Sequence, residues 1–393
     1  MRAIQILHGP LSKRMGFMHA ARWLALWRAV QALVKGRQLW LTGLGRSLPG
    51  AVLRKHAIKA VDRLLGSEHL YDERLKVSAA LVRMLIGAGT SPVVLVDTVE
   101  IRYRVVAVTA ALAHEGRSFP FHSMIIGQPR ADRRQCDRFL QQLSEVLPSD
   151  CRPVFLTDGG FESTWFDEVE RRGWHYVGRV RGQAKLFFEG HWVRCQQLHG
   201  LATRRAWDLG MIALPMRQPR WRRIVISKKP ISLHRRRRTR RGLDNDSNYL
   251  HYRKNVYEPL LLATSLPCSS QRIVALYRRR MQIEETFRDL KNHRWGWSLR
   301  HCGSRSSKRI EILLLIAALA VAIQQLAGAA AESLSIQRRH QANTVTRTRV
   351  LSIFVLGGLV LNGADAALLT ADAIHRAAAR LRRHIALLGH PTG

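Results

Sequence analysis

The chain has 393 residues and carries 64 Lys plus Arg against 28 Asp plus Glu, a formal net charge of +36 at pH 7. An excess of that size repels itself in a compact globule unless an anionic partner is near, which points to nucleic acid or an anionic membrane surface. With 46% hydrophobic residues and ten Trp the chain is not a disordered polycation, and five scattered cysteines without a CxxC pair outline neither a disulfide framework nor a zinc site, which suits a reducing cytoplasm.

The length allows two or three domains. Met1–Gly16 has no apolar core followed by a small-residue cleavage site, so no secretory signal is expected. Residues 1 to about 85 read as helical and basic. Leu41–Leu48, a Pro49-Gly50 turn and Arg54–Leu65 make two short helical candidates. They suit a helix-turn-helix module and an ordinary helical bundle equally well. From Pro92 the texture changes. Val93-Val94-Leu95-Val96 is a short apolar strand ending in Asp97, and Arg104–Leu112 and Phe119–Ile126 follow, parted by the turn-like His114–Arg117. Ala131–Leu147 is an amphipathic helix with Phe139, Leu140, Leu143, Val146 and Leu147 near one side. Pro153–Leu156 is a second apolar strand running into Thr157-Asp158-Gly159-Gly160, followed by a helix at Ser163–Arg172 and a strand at Trp174–Val180. Three strands, then helix, strand, helix and strand predict an α/β fold, a mixed sheet covered by helices, as in ribonuclease H-like proteins.

Residues 181 to about 260 interrupt this order. They are poor in clean alternation, rich in Trp and Arg, and close on the strand-like Pro259–Leu266. Arg217–Arg241 holds twelve Lys or Arg and no acid. Its run Arg235, Arg236, Arg237, Arg238 resists burial in any apolar interior and reads as a solvated arm that tracks phosphates. Two helices, Gln271–His293 and Ile310–Ala331, close the central region, and Ala364–Leu388 is an Ala-rich amphipathic tail helix. The dense apolar part of the second, Ile312–Ile323, is twelve residues, interrupted by Gln324-Gln325 and flanked by Glu311. That is short of the roughly 20 residues a spanning helix needs, so a buried core helix is expected and membrane attachment is set aside.

An acid at the end of a buried apolar strand is costly to desolvate unless it meets a cation. Asp97 and Asp158 both stand there, although each alone reads first as a turn residue. On the helix 271–293, Tyr277, Arg280, Glu284 and Lys291 fall within an arc of about 60°, with Arg288 inside it and Glu285 turned about 100° away from Glu284. On spacing alone, a solvated stripe of intrahelical ion pairs is the simpler account.

These residues carry a resemblance. Tyr277-x2-Arg280-x3-Glu284-x6-Lys291, with Asp97 in Val-Leu-Val-Asp-Thr and Asp158 in Leu-Thr-Asp-Gly-Gly-Phe, resembles the signature of the YREK-type DDE transposases of bacterial insertion sequences, insertion-sequence family four. The resemblance runs from about Leu41 to Ala331 and no catalytic position departs from it. It implies a ribonuclease H-like catalytic domain at 89–332 with a β-rich insertion at about 181–260. A helical, basic DNA-binding region at 1–88 would precede it and a helical region at 333–393 would follow. It further implies that Asp97, Asp158 and Glu284 are catalytic and hold two Mg²⁺ ions, with Mn²⁺ able to substitute, because hard oxygen ligands suit such ions. Tyr277, Arg280 and Lys291 would grip phosphates, joined by Arg288 and the arm Arg235–Arg238. Trp207 or Trp221 would stack a flipped base, against the simpler reading as core or surface Trp. The partners implied are double-stranded DNA, both transposon ends and target, and a second copy in a homodimeric synaptic complex, in the bacterial cytoplasm at the nucleoid. Rival readings are a non-catalytic DNA-binding regulator descended from a transposase and another ribonuclease H-like nuclease. An RNA-binding protein is weaker, for want of an aromatic RNA-recognition motif.

Overall fold

A computed structural model describes residues 2–50, 52–87, 89–102, 104–127, 131–161, 163–228, 258–292, 296–342, 344–345 and 349–389. Two compact units emerge: the first joins residues 1–153 to 281–390, and the second is residues 154–280.

The first unit opens with α1 (Arg2–Ser12), α2 (Ala20–Gly36), α3 (Leu41–Ser47), α4 (Arg54–Leu65) and α5 (Glu68–Leu85). The two helical candidates around the Pro49-Gly50 turn are α3 and α4. Next come β1 (Val93–Arg102), β2 (Val105–Ala113) and β3 (Ser118–Ile125), paired as an antiparallel meander. Asp97 does not end its strand. It lies midway along the ten residues of β1, opposite Thr109. After the fully buried Val93–Val96, the strand continues through Thr98–Ile101, where buried and exposed positions alternate. One face of β1 opens to solvent at that point, so the change from continuous to alternating hydrophobicity marks a change of burial, not of structure. The helix α6 (Arg133–Val146) starts at a capping box. Gln135 N donates to the Asp132 carboxylate at 2.8 Å, and Asp132 N donates to the Gln135 side chain at 3.1 Å. Phe139, Leu140, Leu143 and Val146 form its buried side.

The second unit holds β4 (Val154–Thr157), α7 (Ser163–Arg171), β5 (His175–Arg179), β6 (Lys185–Phe188), β7 (His191–Arg194), β8 (Trp207–Leu214), β9 (Arg220–Ser227), β10 (Leu260–Thr264) and α8 (Ser270–Arg278). Its strands run in the order β4-β5-β10-β9-β8-β6-β7, parallel between β4 and β5 and antiparallel elsewhere. The insertion is therefore β-rich where the sequence showed little alternation. β6 and β7 are four residues each, too short to display a period of two, and β8 carries an irregularity at Asp208–Gly210, with Gly210 at φ 78°. The arm Arg235, Arg236, Arg237 and Arg238 lies outside the described residues.

The segment 271–293 is not one helix. α8 stops at Arg278, and α9 (Met281–Lys291) starts afresh. Between them Arg279 N and Arg280 N bond to carbonyls three residues back, at 2.9 and 3.0 Å, which tightens the chain out of α-helical register. Returning to the first unit, α10 (Ser307–Ser333) is followed by α11 (Ile353–Asn362) and α12 (Ala371–Leu388). The tail helix starts later than its composition indicates: Ala364–Leu368 is a 3₁₀ turn, and Thr370 caps α12 by accepting from Ala373 N at 3.2 Å. By length and composition the 27 residues of α10 suffice to cross a membrane, so the shortness argued from its dense apolar part does not hold. Burial decides instead: the most apolar window of α10 lies wholly inside protein. Gln324 and Gln325 donate to the Phe354 and Ser118 carbonyls at 2.7 and 2.9 Å, which satisfies the NH₂ side of two amides in an apolar helix. α10 and α11 cross with Gly328 against Ile353 and Gly357 against Gln324, so close that neither glycine has room for a Cβ.

Candidate active site

In the first unit Asp97 is 9% exposed, and its Oδ1 accepts from Thr98 N at 2.8 Å. Thr109 on β2 faces it, and Ser123 on β3 faces Thr109, their hydroxyls 2.9 Å apart. A polar row thus crosses the three strands at the level of Asp97. Lys291, at the end of α9, lies within electrostatic reach: burial and then Arg300 lower its pKa, while Glu100 and Asp97 work in the opposite direction. A half-buried ammonium thus lies within electrostatic reach of a buried carboxylate of the meander. Glu284 sits in the first turn of α9, half-buried, and Lys291 follows two turns on, on the same side of the helix. Arg288 is exposed and pairs with Glu285, which Arg117 also approaches at 3.8 Å. Glu285 is accordingly the surface neighbour its angle on the helix indicates.

In the second unit Asp158 follows directly on β4, and its Oδ1 accepts from Gly160 N at 2.8 Å. The turn role is real, and the residue is half-buried as well. Tyr277, in the last turn of α8, is 5% exposed. Burial raises its phenol pKa; Arg280, which is also its hydrogen-bond partner, and Arg179 lower it, and Asp158 raises it. Asp158, Tyr277, Arg280 and Arg179 are therefore electrostatic neighbours. Arg179 had no signal in the sequence: it ends an ordinary apolar strand and pairs with Glu258, 79 residues later, at 2.6 Å.

The site residues thus fall into two sets, Asp97, Glu284, Arg288 and Lys291 in the first unit and Asp158, Tyr277 and Arg280 in the second. The break at Arg279–Arg280 removes the single arc drawn for one unbroken helix; the shared face of Glu284 and Lys291 survives because both belong to α9. Among the described residues of either unit, no three His, Cys, Asp or Glu side chains form a metal-holding group. The donor chemistry nevertheless fits a hard divalent cation, since all three predicted ligands are carboxylates and Asp97 is nearly dry.

Trp207 and Trp221 are 48% and 61% exposed, so neither is a core residue. Trp207 pairs with Ile226, five residues from Trp221 on β9, which sets the two indoles on opposite faces of the hairpin. A single stacked base can use only one of them.

No curated protein matches the chain. The family described as the transposase DDE domain matches residues 101–322, more than half of the 393 residues, starting just beyond Asp97 and taking in Asp158 and Glu284. The meander followed by alternating helices and strands is consistent with the ribonuclease H-like α/β fold of this family, and the chain belongs to the DDE-domain transposases.

Proposed function

We propose that the chain serves an insertion sequence of the YREK type, insertion-sequence family four. In this reading it binds the terminal inverted repeats of its element and cuts and joins DNA strands with divalent metal. The observation that carries the reading is Asp97, a carboxylate nearly removed from water in the middle of an apolar strand, with Lys291 beside it. Asp97, Asp158 and Glu284 would hold two Mg²⁺ ions, with Mn²⁺ able to substitute. When bound, such a pair lowers the pKa of an attacking water or 3′-hydroxyl and stabilises the leaving oxygen of an in-line displacement.

The protein's own residues bind and orient. Arg280 offers a fork to a phosphate and Lys291 a point charge, and Tyr277, buried against Arg280, braces that guanidinium. Arg288 and the arm Arg235–Arg238 extend the grip along the backbone, and the +36 charge makes the affinity strongly salt-dependent. Trp221 or Trp207 stacks an unpaired base. Two copies bring two ends together in the synaptic complex, at the nucleoid of a bacterial cytoplasm.

The test combines purified protein, DNA carrying the inverted repeats that bound the gene, a target plasmid and Mg²⁺. Nicking at the repeat boundary and joining of the freed 3′ end to the target are expected, and Asp97→Ala abolishes both. Equal behaviour of wild type and Asp97→Ala removes the metal assignment. Binding without cleavage marks a regulator, and cleavage without joining marks a nuclease.

A further inference from the structure

α9 has a second functional face. Gln282, Thr286 and Asp289, spaced by four and three, share a side of the helix, and each is bonded to the connection between β2 and β3 or its flanks. Gln282 Oε1 accepts from His114 N at 2.9 Å, and its Nε2 donates to His114 O at 2.5 Å. Thr286 Oγ1, 1% exposed as a residue, accepts from Ser118 N at 2.9 Å and from the Ser118 hydroxyl at 3.0 Å, and donates to the Gln282 carbonyl at 2.9 Å. Asp289 accepts from Arg117 Nε at 2.7 Å and from the Ser352 hydroxyl at 3.3 Å. The far side of this clamp is rigid, because Ser118 is also held by Gln325 of α10, at 2.9 Å, and β2 is laddered to β1 from Val94↔Leu112 to Arg102↔Val105. Asp97 is in that ladder.

We propose that Gln282, Thr286 and Asp289 are positioning residues, which fix the rotation of α9 about its own axis and so aim the Glu284 carboxylate at a metal ion it shares with Asp97. The inference rests on reading Glu284 and Asp97 as metal ligands. Small rotations matter here. A carboxylate about 5–6 Å off a helix axis moves roughly 2 Å for a turn of about 20°, which is as long as a whole Mg–O bond of about 2.1 Å. Since α9 starts afresh at Met281, its azimuth within the first unit is set locally, by this clamp together with the buried Ile283, Phe287 and Leu290.

The experiment uses the full chain with Thr286→Val, Gln282→Leu, Thr286→Ser and Glu284→Gln. Two quantities are measured: Mn²⁺ binding without DNA, by titration and electron paramagnetic resonance, and the Mg²⁺ concentration that gives half-maximal cleavage of end DNA. Thr286→Val and Gln282→Leu should weaken Mn²⁺ binding and raise the Mg²⁺ midpoint by about 10–100-fold. Cleavage at saturating metal should recover towards wild type, and Thr286→Ser should restore both quantities. Glu284→Gln should cleave at no Mg²⁺ concentration. If Glu284→Gln cleaves like wild type, the assignment of Glu284 fails and the positioning role with it. If Glu284→Gln is inactive while Thr286→Val and Gln282→Leu, folded by circular dichroism, bind Mn²⁺ and use Mg²⁺ as wild type does, the positioning role is overturned and Glu284 keeps its place. Gln282→Leu, at a half-buried position, decides the matter should Thr286→Val not fold.

Discussion

The two units hold their acids in place by different physics. Around Asp97 and Glu284 the supports are mostly neutral: backbone ladders, the Thr109–Ser123 hydroxyl pair, and the amide and hydroxyl of Gln282 and Thr286. Around Asp158 the supports are ionic. Arg222, 2% exposed on β9, reaches across to α7, the helix that begins just after Asp158. It donates to Asp167 at 2.6 Å, to Glu170 at 3.3 Å, to the Tyr176 hydroxyl at 2.9 Å and to the Ser163 carbonyl and hydroxyl at 3.1 Å. Arg179–Glu258 and Arg223–Asp208, each at 2.6 Å, add two more pairs. Neutral supports specify direction and ignore salt; a buried cation is costly to leave alone, and so ties distant segments together.

The largest effects test whether the two settings serve one reaction. If Asp158 and Glu284 are metal ligands as proposed, Asp158→Asn and Glu284→Gln each remove several kcal/mol of transition-state stabilisation and should lower strand cleavage by about 10³-fold or more. Unequal losses, with one variant near wild type in a gel-based nicking assay, would break the pairing.

Next in size is Arg222→Leu, which leaves the buried Tyr176 hydroxyl and the more exposed Asp167 and Glu170 without their shared partner and should cost about 1–3 kcal/mol. Hydrogen exchange should then rise in α7, β5 and β9, with β1–β3 still protected. Uniform loss of protection would mean that the ionic supports are not confined to the second unit.

Acid should act on the other unit. Burial, then the neighbouring charges of His384, Arg349 and Arg380, hold His114 at about 3, and burial, against the hydrogen bond His122 Nε2 donates to Gln142 Oε1, holds His122 at about 4. Both are neutral when folded, whereas in the unfolded chain they take up protons around the ordinary value of 6.5. Their contribution to stability is complete above pH 6.5 and disappears as pH falls towards 4 and then 3, by about 1.4 kcal/mol per unit and per histidine. No histidine of the second unit is buried among the described residues. Denaturant midpoints at pH 7 and pH 5 should therefore fall for the first unit, and His122→Gln should flatten that slope. An unchanged slope in the variant would place the acid sensitivity elsewhere.

The smallest effects concern the insertion. Whichever of Trp221 and Trp207 stacks a base should lose about 1–3 kcal/mol of affinity for DNA with an unpaired nucleotide on change to Ala. Stability should stay within about 0.5 kcal/mol, since both side chains are exposed. Equal losses from both would contradict their placement on opposite faces.

Much of the fold was legible because its signals are local. The apolar runs at Val93 and Pro153, the turn residues between β2 and β3 and the amphipathic period of α6 each lie within a dozen or so residues. The break after Arg278 was not legible, since Ser270–Lys291 contains no Gly or Pro and every residue near the break is a good helix former. Arg222 was hidden for another reason. In Arg220-Trp221-Arg222-Arg223 it looks like one more solvated cation, and its acid partners stand 52 and 55 positions earlier. The clamp on α9 joins residues 168 and 172 positions apart, a separation at which no periodicity operates. Asp97 and Asp158 stood out as acids closing apolar runs in a chain poor in acids, and Glu284 through its spacing to Tyr277, Arg280 and Lys291.

One consequence of α10 reaches back to the ribosome. β3, α2, α4, α5, α11 and α12 all pack against that bilayer-length apolar helix, so the first 153 residues have no complete interior until Ser307–Ser333 has been made. Residues 154–280, the bulk of the second unit, are all made before then. Completion of the first unit during synthesis therefore waits on a segment made long after its first 153 residues. A message truncated before codon 307 would yield a first unit with its apolar faces open, a product that proteases rather than DNA would meet.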